Sequence, residues 1–317
     1  MKFVWHNRDM YKRLRQLTAD MVHPLTVNRL RGRVMKHPSR KTGKGRTIVF
    51  VYGIHGSLER FYGVIHFLAR FGTVTAPDLP GFGGMDSYYK IGLKPSLDRF
   101  ADYLADFIER DLPEGKITLV GLSYGFVVLT RLLERHPQLV PRVDMTISLM
   151  GMVEGSDMAM SRASRITAET VMLLARAPIT SSVFGYIVSR EWMLQLMYPN
   201  SHPKMKALPP GTRNDFIQFE SYLWRCNDLK TWGTCLHELL NLHRPKERIP
   251  VTIHNISTKH DHWLNVPRAE AHMNEVFAKV ISYSSSVSNH GGVAYEDESE
   301  AYDMIPPDMA GLLETAS

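Results

Sequence analysis

The spacing of hydrophobic positions changes period repeatedly along this chain. Placed on a helix, Phe3, Met10, Leu14, Leu17 and Met21 fall on one side, with Arg8, Lys12 and Arg15 roughly opposite. This spacing predicts a basic amphipathic helix over residues 3–21. A basic, turn-rich stretch follows and ends in SRKTGKGR. TIVFVYG is short, β-branched and apolar, the pattern of a buried strand. A helix is expected from about Leu58 to Arg70, then a second buried strand, TVTAP, leading into the Gly- and Pro-dense turn Asp78-Leu79-Pro80-Gly81-Phe82-Gly83-Gly84. SLDRFADYLADFIERDL alternates apolar and charged residues at helical spacing, with Ser96 placed to cap its start. ITLVG, FVVLTRLLERH and VDMTISLMGM continue as strand, helix and strand.

Strands alternating with helices at these distances require crossover connections. The predicted class is therefore α/β, with a mostly parallel central sheet flanked by helices. From about Val153 to Arg248 the alternation stops, and Met- and aromatic-rich helical segments are broken at Pro178, Pro199, Pro203 and Pro209-Pro210. This reads as a helical cap inserted late in the sheet. The sheet resumes at IPVTIHNIS, followed by the helix PRAEAHMNEVFAK, the strand VISYS and a last helix beyond about Glu298. The expected organisation is a basic helix and lead-in over 1–46, the first part of the core over 47–152, the cap over 153–248 and the second part of the core over 249–317.

Composition narrows the classes. With 44% hydrophobic and 22% charged residues, 317 residues can bury a large core, which argues against disorder. The two cysteines, Cys226 and Cys235, cannot build a disulfide framework and have no metal-ligand spacing, so both are read as reduced core residues. The first residues lack the apolar stretch of a signal peptide, and no run of about eighteen apolar residues occurs; a cytoplasmic location is expected. The net charge of +6 is uneven: Arg and Lys crowd the first 46 residues, whereas Glu296, Asp297, Glu298, Glu300 and Asp303 make the other end acidic. Opposite signs predict attraction between the two ends. The basic helix over 3–21 has two readings, peripheral contact with an anionic membrane or packing of its apolar side on the catalytic domain. No nucleic-acid module accompanies the basic charge, so no nucleic-acid partner is expected.

Gly121-Leu122-Ser123-Tyr124-Gly125 matches G-x-S-x-G, a pattern that chance supplies in about one chain in ten of this length. The setting adds more than the motif, because an apolar strand precedes it and a helix follows. Such a turn projects Ser123 above the carboxyl edge of the sheet. A serine hydroxyl needs a base and a group that fixes the base's tautomer. His290, in SVSNHGG after the last strand, is the candidate base, and Asp261, in STKHDHW after the preceding strand, is the candidate acid. Glu154, just past VDMTISLMGM, is the alternative acid; His260 and His262 are the rival histidines. His260-Asp261-His262 lacks the further ligands of a metal site. No metal and no organic cofactor is required.

The segment from TIVFVYGIHGS through DLPGFGG and GLSYG to NHGG resembles the α/β-hydrolase superfamily over most of residues 47–295, and DLPGFG is similar to a turn of its cap-bearing esterases, peptidases and carbon-carbon hydrolases. The resemblance implies an oxyanion hole made by the backbone N–H of Tyr124 and that of Ile54, or of His55. The chain departs from the pattern where Tyr52-Gly53 replaces His-Gly, with a histidine displaced to His55 as a structural or pocket-lining residue. Met172, Tyr186, Trp192, Met197, Phe216 and Phe219 of the cap are expected either to pack the cap or to line an apolar pocket. The expected activity is a serine hydrolase cleaving a small-molecule carboxylic ester with a largely hydrophobic acyl group. The alternatives are a carbon-carbon, amide or lactone hydrolase of the same fold, or a catalytically silent binding protein.

Overall fold

β-Branched, doubly buried runs become the centre of one sheet, whose edges are more polar. The computed structural model describes residues 10–40, 46–112, 114–201, 210–259, 261–287, 290 and 298–315. Among them, β1 (Val22–Val27), β2 (Leu30–His37), β3 (Arg46–Val51), β4 (Gly72–Pro77), β5 (Ile117–Leu122), β6 (Val143–Leu149), β7 (Ile249–Thr258) and β8 (Phe277–Ser285) join in the order β1-β2-β4-β3-β5-β6-β7-β8. Pairings from β4 through β8 are parallel, while β1–β2 and β2–β4 are antiparallel. All six residues of β5 are buried, as expected of a strand covered on both faces.

The helices are α1 (Met10–Thr18), α2 (Tyr62–Leu68), α3 (Leu97–Asp111), α4 (Tyr124–Arg135), α5 (Arg162–Arg176), α6 (Pro178–Val188), α7 (Glu191–Ser201), α8 (Pro210–Cys226), α9 (Leu229–Leu240), α10 (Val266–Val276), α11 (Glu298–Met304) and α12 (Pro307–Thr315). Ser96 caps α3 by accepting from Arg99 N at 3.3 Å. Helices α5 to α9 lie between β6 and β7 in the chain, the insertion expected as a cap.

The structure corrects the reading of the lead-in. Residues 22–37 are not merely turn-rich: they form the hairpin β1–β2, which extends the sheet by two strands before TIVFV. Asn28 and Arg29 both have positive φ, 50° and 67°, the requirement of a two-residue hairpin turn whose twist matches the strands. The N-terminal helix ends at Thr18, short of the expected residue 21, and residues 3–9 of that prediction lie outside the described residues. Its Met10 and Leu14 pack against Phe219 and Leu223 of α8, so the described part of the helix turns its apolar side to the cap. The helix expected through Lys279 ends at Val276. Phe277 is fully buried, pairs with Ile249 and starts β8 instead. The predicted attraction between the chain's ends is realised in Arg40–Glu298, at 2.6 Å.

Candidate active site

Three strand ends converge above the sheet. Ser123 follows β5, Asp261 follows β7 and His290 follows β8, all on the carboxyl edge, where parallel sheets place their ligands. Ser123 has φ 51° and ψ −117°, a conformation that costs a non-glycine residue on the order of 1–3 kcal/mol. The turn is held by Ser123 N donating to Leu149 O at 2.8 Å and by Phe126 N donating to Ser123 O at 2.9 Å. Gly125 is required by close approach, since a Cβ there would lie 2.1 Å from the carbonyl oxygen of Val51.

The Ser123 Oγ lies 2.8 Å from His290 Nε2, and His290 Nδ1 lies 2.7 Å from Asp261 Oδ2. The other oxygen of Asp261 accepts from the backbone N–H groups of Trp263 at 2.8 Å and Leu264 at 3.0 Å, so the buried carboxylate is pinned before it meets the imidazole. A carboxylate at Nδ1 selects the tautomer that carries its proton there, leaving Nε2 free to accept from the serine hydroxyl. Of the rival histidines, His262 is exposed and His260 lies outside the described residues. Glu154 does not join this group: its carboxylate lies 3.2 Å from Arg244 Nε and accepts from Ser156 Oγ at 3.0 Å.

The two segments expected to supply backbone donors both adjoin Ser123. Tyr124 is the first residue of α4, so its N–H has no intrahelical acceptor. The loop carrying Ile54 lies against Ser123: a Cβ on Gly53 would be 3.4 Å from Ser123 Cβ. The departure at Tyr52 also has a structural account. Its hydroxyl donates to Asp78 Oδ1 at 2.8 Å and accepts from Leu79 N at 3.0 Å, tying the end of β3 to the turn over 78–84.

Sequence reasoning missed a buried polar cluster that joins this loop to the cap. His55, at φ 60°, has Nδ1 3.2 Å from Asn227 Nδ2, Nε2 3.5 Å from Glu220, and its ring centroid 4.1 Å from that of Trp224. Burial holds the His55 imidazole below its ordinary pKa against the pull of Glu220, so its neutral form can accept from Asn227 and face Glu220 with Nε2–H. Glu220 also meets Arg60 at 3.1 Å and accepts from Tyr198 Oη at 2.6 Å. Burial pushes the Glu220 carboxyl up, but Arg60, His55 and Tyr198 outweigh it and lower its pKa to about 2. A depressed carboxyl stabilises the fold above its unfolded pKa and loses that contribution as pH falls from about 4.5 through about 2. Glu220→Gln should therefore cost about 3–5 kcal/mol at pH 7 in urea unfolding, because Arg60 is left buried without its counter-charge. The cost should shrink when unfolding is repeated near pH 3; equal stability of the two proteins at pH 7 would refute the ion-pair reading. No short motif signals this cluster, since its members come from two segments far apart in the chain, His55 and Arg60 from one and Tyr198, Glu220, Trp224 and Asn227 from the other.

The cap also departs from expectation. Met172, Phe216 and Phe219 are buried as packing residues, but Tyr186, Trp192 and Met197 are 64%, 60% and 41% exposed, turned to solvent rather than into a pocket. Among the described residues, no group of three or more His, Cys, Asp or Glu side chains could hold a metal.

Comparison with known proteins is consistent with this geometry. Residues 46–165 match the model of a family described as alpha/beta hydrolase fold. An uncharacterized protein of Mycobacterium tuberculosis (strain H37Rv) is 31% identical over 140 residues, 44% of this chain and 40% of the relative; the chain thus spans under half the length of the curated relatives it matches. Among solved structures, a membrane phospholipase A described as a bacterial virulence factor is similar over 97% of this chain and 93% of its own, at 16% identity and a TM-score of 0.62. The enol-lactonase from Burkholderia xenovorans LB400 is similar over 83% of this chain and 90% of its own, at 14% identity and a TM-score of 0.56. At these identities the likeness is one of fold.

Proposed function

Because this chain belongs to the α/β-hydrolase superfamily, we propose that it is a serine hydrolase that cleaves a carboxylic ester with a largely hydrophobic acyl group. The observation that carries the proposal is the unbroken relay from the Ser123 hydroxyl through His290 to the pinned carboxylate of Asp261. In the reaction, Ser123 Oγ attacks the ester carbonyl while its proton passes to His290 Nε2. The tetrahedral oxyanion is received by the N–H groups of Tyr124 and Ile54, donors of a kind that contribute a few kcal/mol each, about 2.7–4 where one has been removed. Collapse expels the alkoxide, which takes the proton from His290, and leaves an acyl-serine. Water, deprotonated by the same imidazole, then releases the acid and restores the serine. Asp261 stays ionised and stabilises the imidazolium formed in each half-reaction.

The apolar acyl preference draws on the cap's overall Met and aromatic content and not on Met172, Tyr186, Trp192, Met197, Phe216 or Phe219, which pack the cap or face solvent. An ester-length series separates it from the catalytic claim. A fluorophosphonate should label the native protein and not Ser123→Ala, and p-nitrophenyl esters should turn over faster as the acyl chain lengthens from two carbons. Labelling that survives Ser123→Ala would sink the nucleophile assignment. Best turnover on acetate or a charged acyl group would sink only the substrate class.

A further inference from the structure

Among the described residues, eight of the twelve conspicuously exposed large hydrophobic side chains fall within residues 166–197, on α5, α6 and α7. Ile166 and Leu173 are seven apart on α5, Val183 and Tyr186 three apart on α6, and Trp192 and Leu196 four apart on α7, so each pair shares one face of its helix. The opposite sides are used for packing: Met172, Ala175, Val188, Leu194 and Tyr198 are buried. Helix α5 packs on α6 and α9, and α6 and α7 pack on each other and on α8, so the three helices form an outer layer of the cap. With exposures of 41–67% and roughly 200 Å² per large side chain, the eight carry on the order of 800 Å² or more of apolar surface. The largest apolar patch of an ordinary monomer is about 300–600 Å².

Cations accompany this surface. The Arg190 guanidinium sits 3.9 Å from the centroid of the exposed Tyr186 ring, which places a positive charge beside the apolar side chains. Exposed Arg162 opens α5, whose acidic Glu169 is paired with Arg165 at 3.2 Å, and exposed Glu191 precedes Trp192 on α7. Helix α1, docked on α8, adds exposed Lys12 and Arg15 with Leu17 to the same cap assembly.

We infer that the outer face of α5–α7 docks on an anionic lipid surface, Trp192 and Tyr186 sitting at headgroup depth, the leucines entering the acyl boundary and the arginines meeting phosphate. Charge selects this occupant. A two-fold contact with a second copy would bring the same arginines face to face, whereas anionic lipid neutralises them. Among the described residues no single helix is long and apolar enough to cross a membrane; α5 and Thr180–Val188 reach that length and apolarity only as a pair bent by 110°, and a bent pair with one exposed apolar face suits the interface.

The test is flotation of the full chain with vesicles of phosphatidylcholine alone or with about 30% phosphatidylglycerol. The protein should float with the anionic vesicles, less so at high salt, and Ser123→Ala should float equally, which separates docking from the catalytic proposal. Leu173→Glu/Trp192→Glu/Leu196→Glu should lower the bound fraction at least about tenfold. Should that variant not fold, quenching of tryptophan emission by brominated lipid, compared between the native protein and Trp192→Phe, reads the same contact. Failure of the native protein to float overturns the inference. So does flotation that the triple variant retains, quenching unchanged by Trp192→Phe, or a dimer in solution that the triple variant dissolves without any vesicle binding.

Discussion

Ser123→Ala and His290→Ala are each expected to lower turnover of a responsive ester by about 10⁴- to 10⁶-fold, with little change in KM. The two losses should not add, because the hydroxyl and the imidazole 2.8 Å away act in one proton transfer. Single-turnover and steady-state assays on both single variants and the double variant check this; a double loss equal to the product of the single ones would mean the two groups act separately. Stability reports the geometry independently. At φ 51° the strained backbone of Ser123 is tolerated because the turn is pinned to Leu149 and Phe126. Alanine keeps the strain, since it keeps a Cβ. Ser123→Gly should therefore be more stable than Ser123→Ala by about 1 kcal/mol, as strain is released at the cost of activity.

The sheet core and the nucleophile turn were legible in the sequence because local pattern dictates them. A doubly buried parallel strand is a continuous apolar run, and Gly121 and Gly125 record where backbone must approach backbone: a Cβ on Gly121 would stand 2.6 Å from Phe126 Cα. The hairpin β1–β2 was not legible by the same test. Its strands lie at the sheet's edge, where Pro24, Gly32 and the charged Arg31, Arg33 and Lys36 interrupt alternation, and its turn uses Asn28-Arg29 where glycine is commoner. The exposure of Tyr186, Trp192 and Met197 was not legible, because exposed and buried Met and aromatic residues have the same periodicity; only packing decides which side of a helix meets the core. The His55–Glu220–Arg60 cluster depends on α8 descending onto the loop after β3, a relation between distant segments that neither spacing nor composition encodes.

That descent couples cap and site physically. Asn227, at the end of α8, touches His55 in the loop beside Ser123 through its amide nitrogen. Its carbonyl oxygen accepts from Gly83 N at 2.8 Å, in the turn that Tyr52 anchors through Asp78. The loop that carries Ile54 is thus held from both the sheet and the cap.

Asp261→Asn is expected to reduce turnover about 10⁴-fold, whereas Glu154→Gln should change it by no more than a few-fold. The first effect follows from how the carboxylate is held. Its Oδ1 receives two backbone N–H groups, from Trp263 and Leu264, so a substituted amide must leave its carbonyl oxygen there and turn its NH₂ toward His290. An NH₂ facing Nδ1 can only donate, which forces the imidazole proton onto Nε2, the atom that has to accept from Ser123. The base is then in the wrong tautomer although every heavy atom keeps its place. Glu154 has no such leverage, since its carboxylate is spent on Arg244 and Ser156 near the surface. Ring ¹⁵N chemical shifts of His290 should report the exchange of protonated nitrogen in Asp261→Asn and no change in Glu154→Gln. Comparable losses of turnover from the two substitutions, with the His290 tautomer unmoved, would transfer the orienting role away from Asp261.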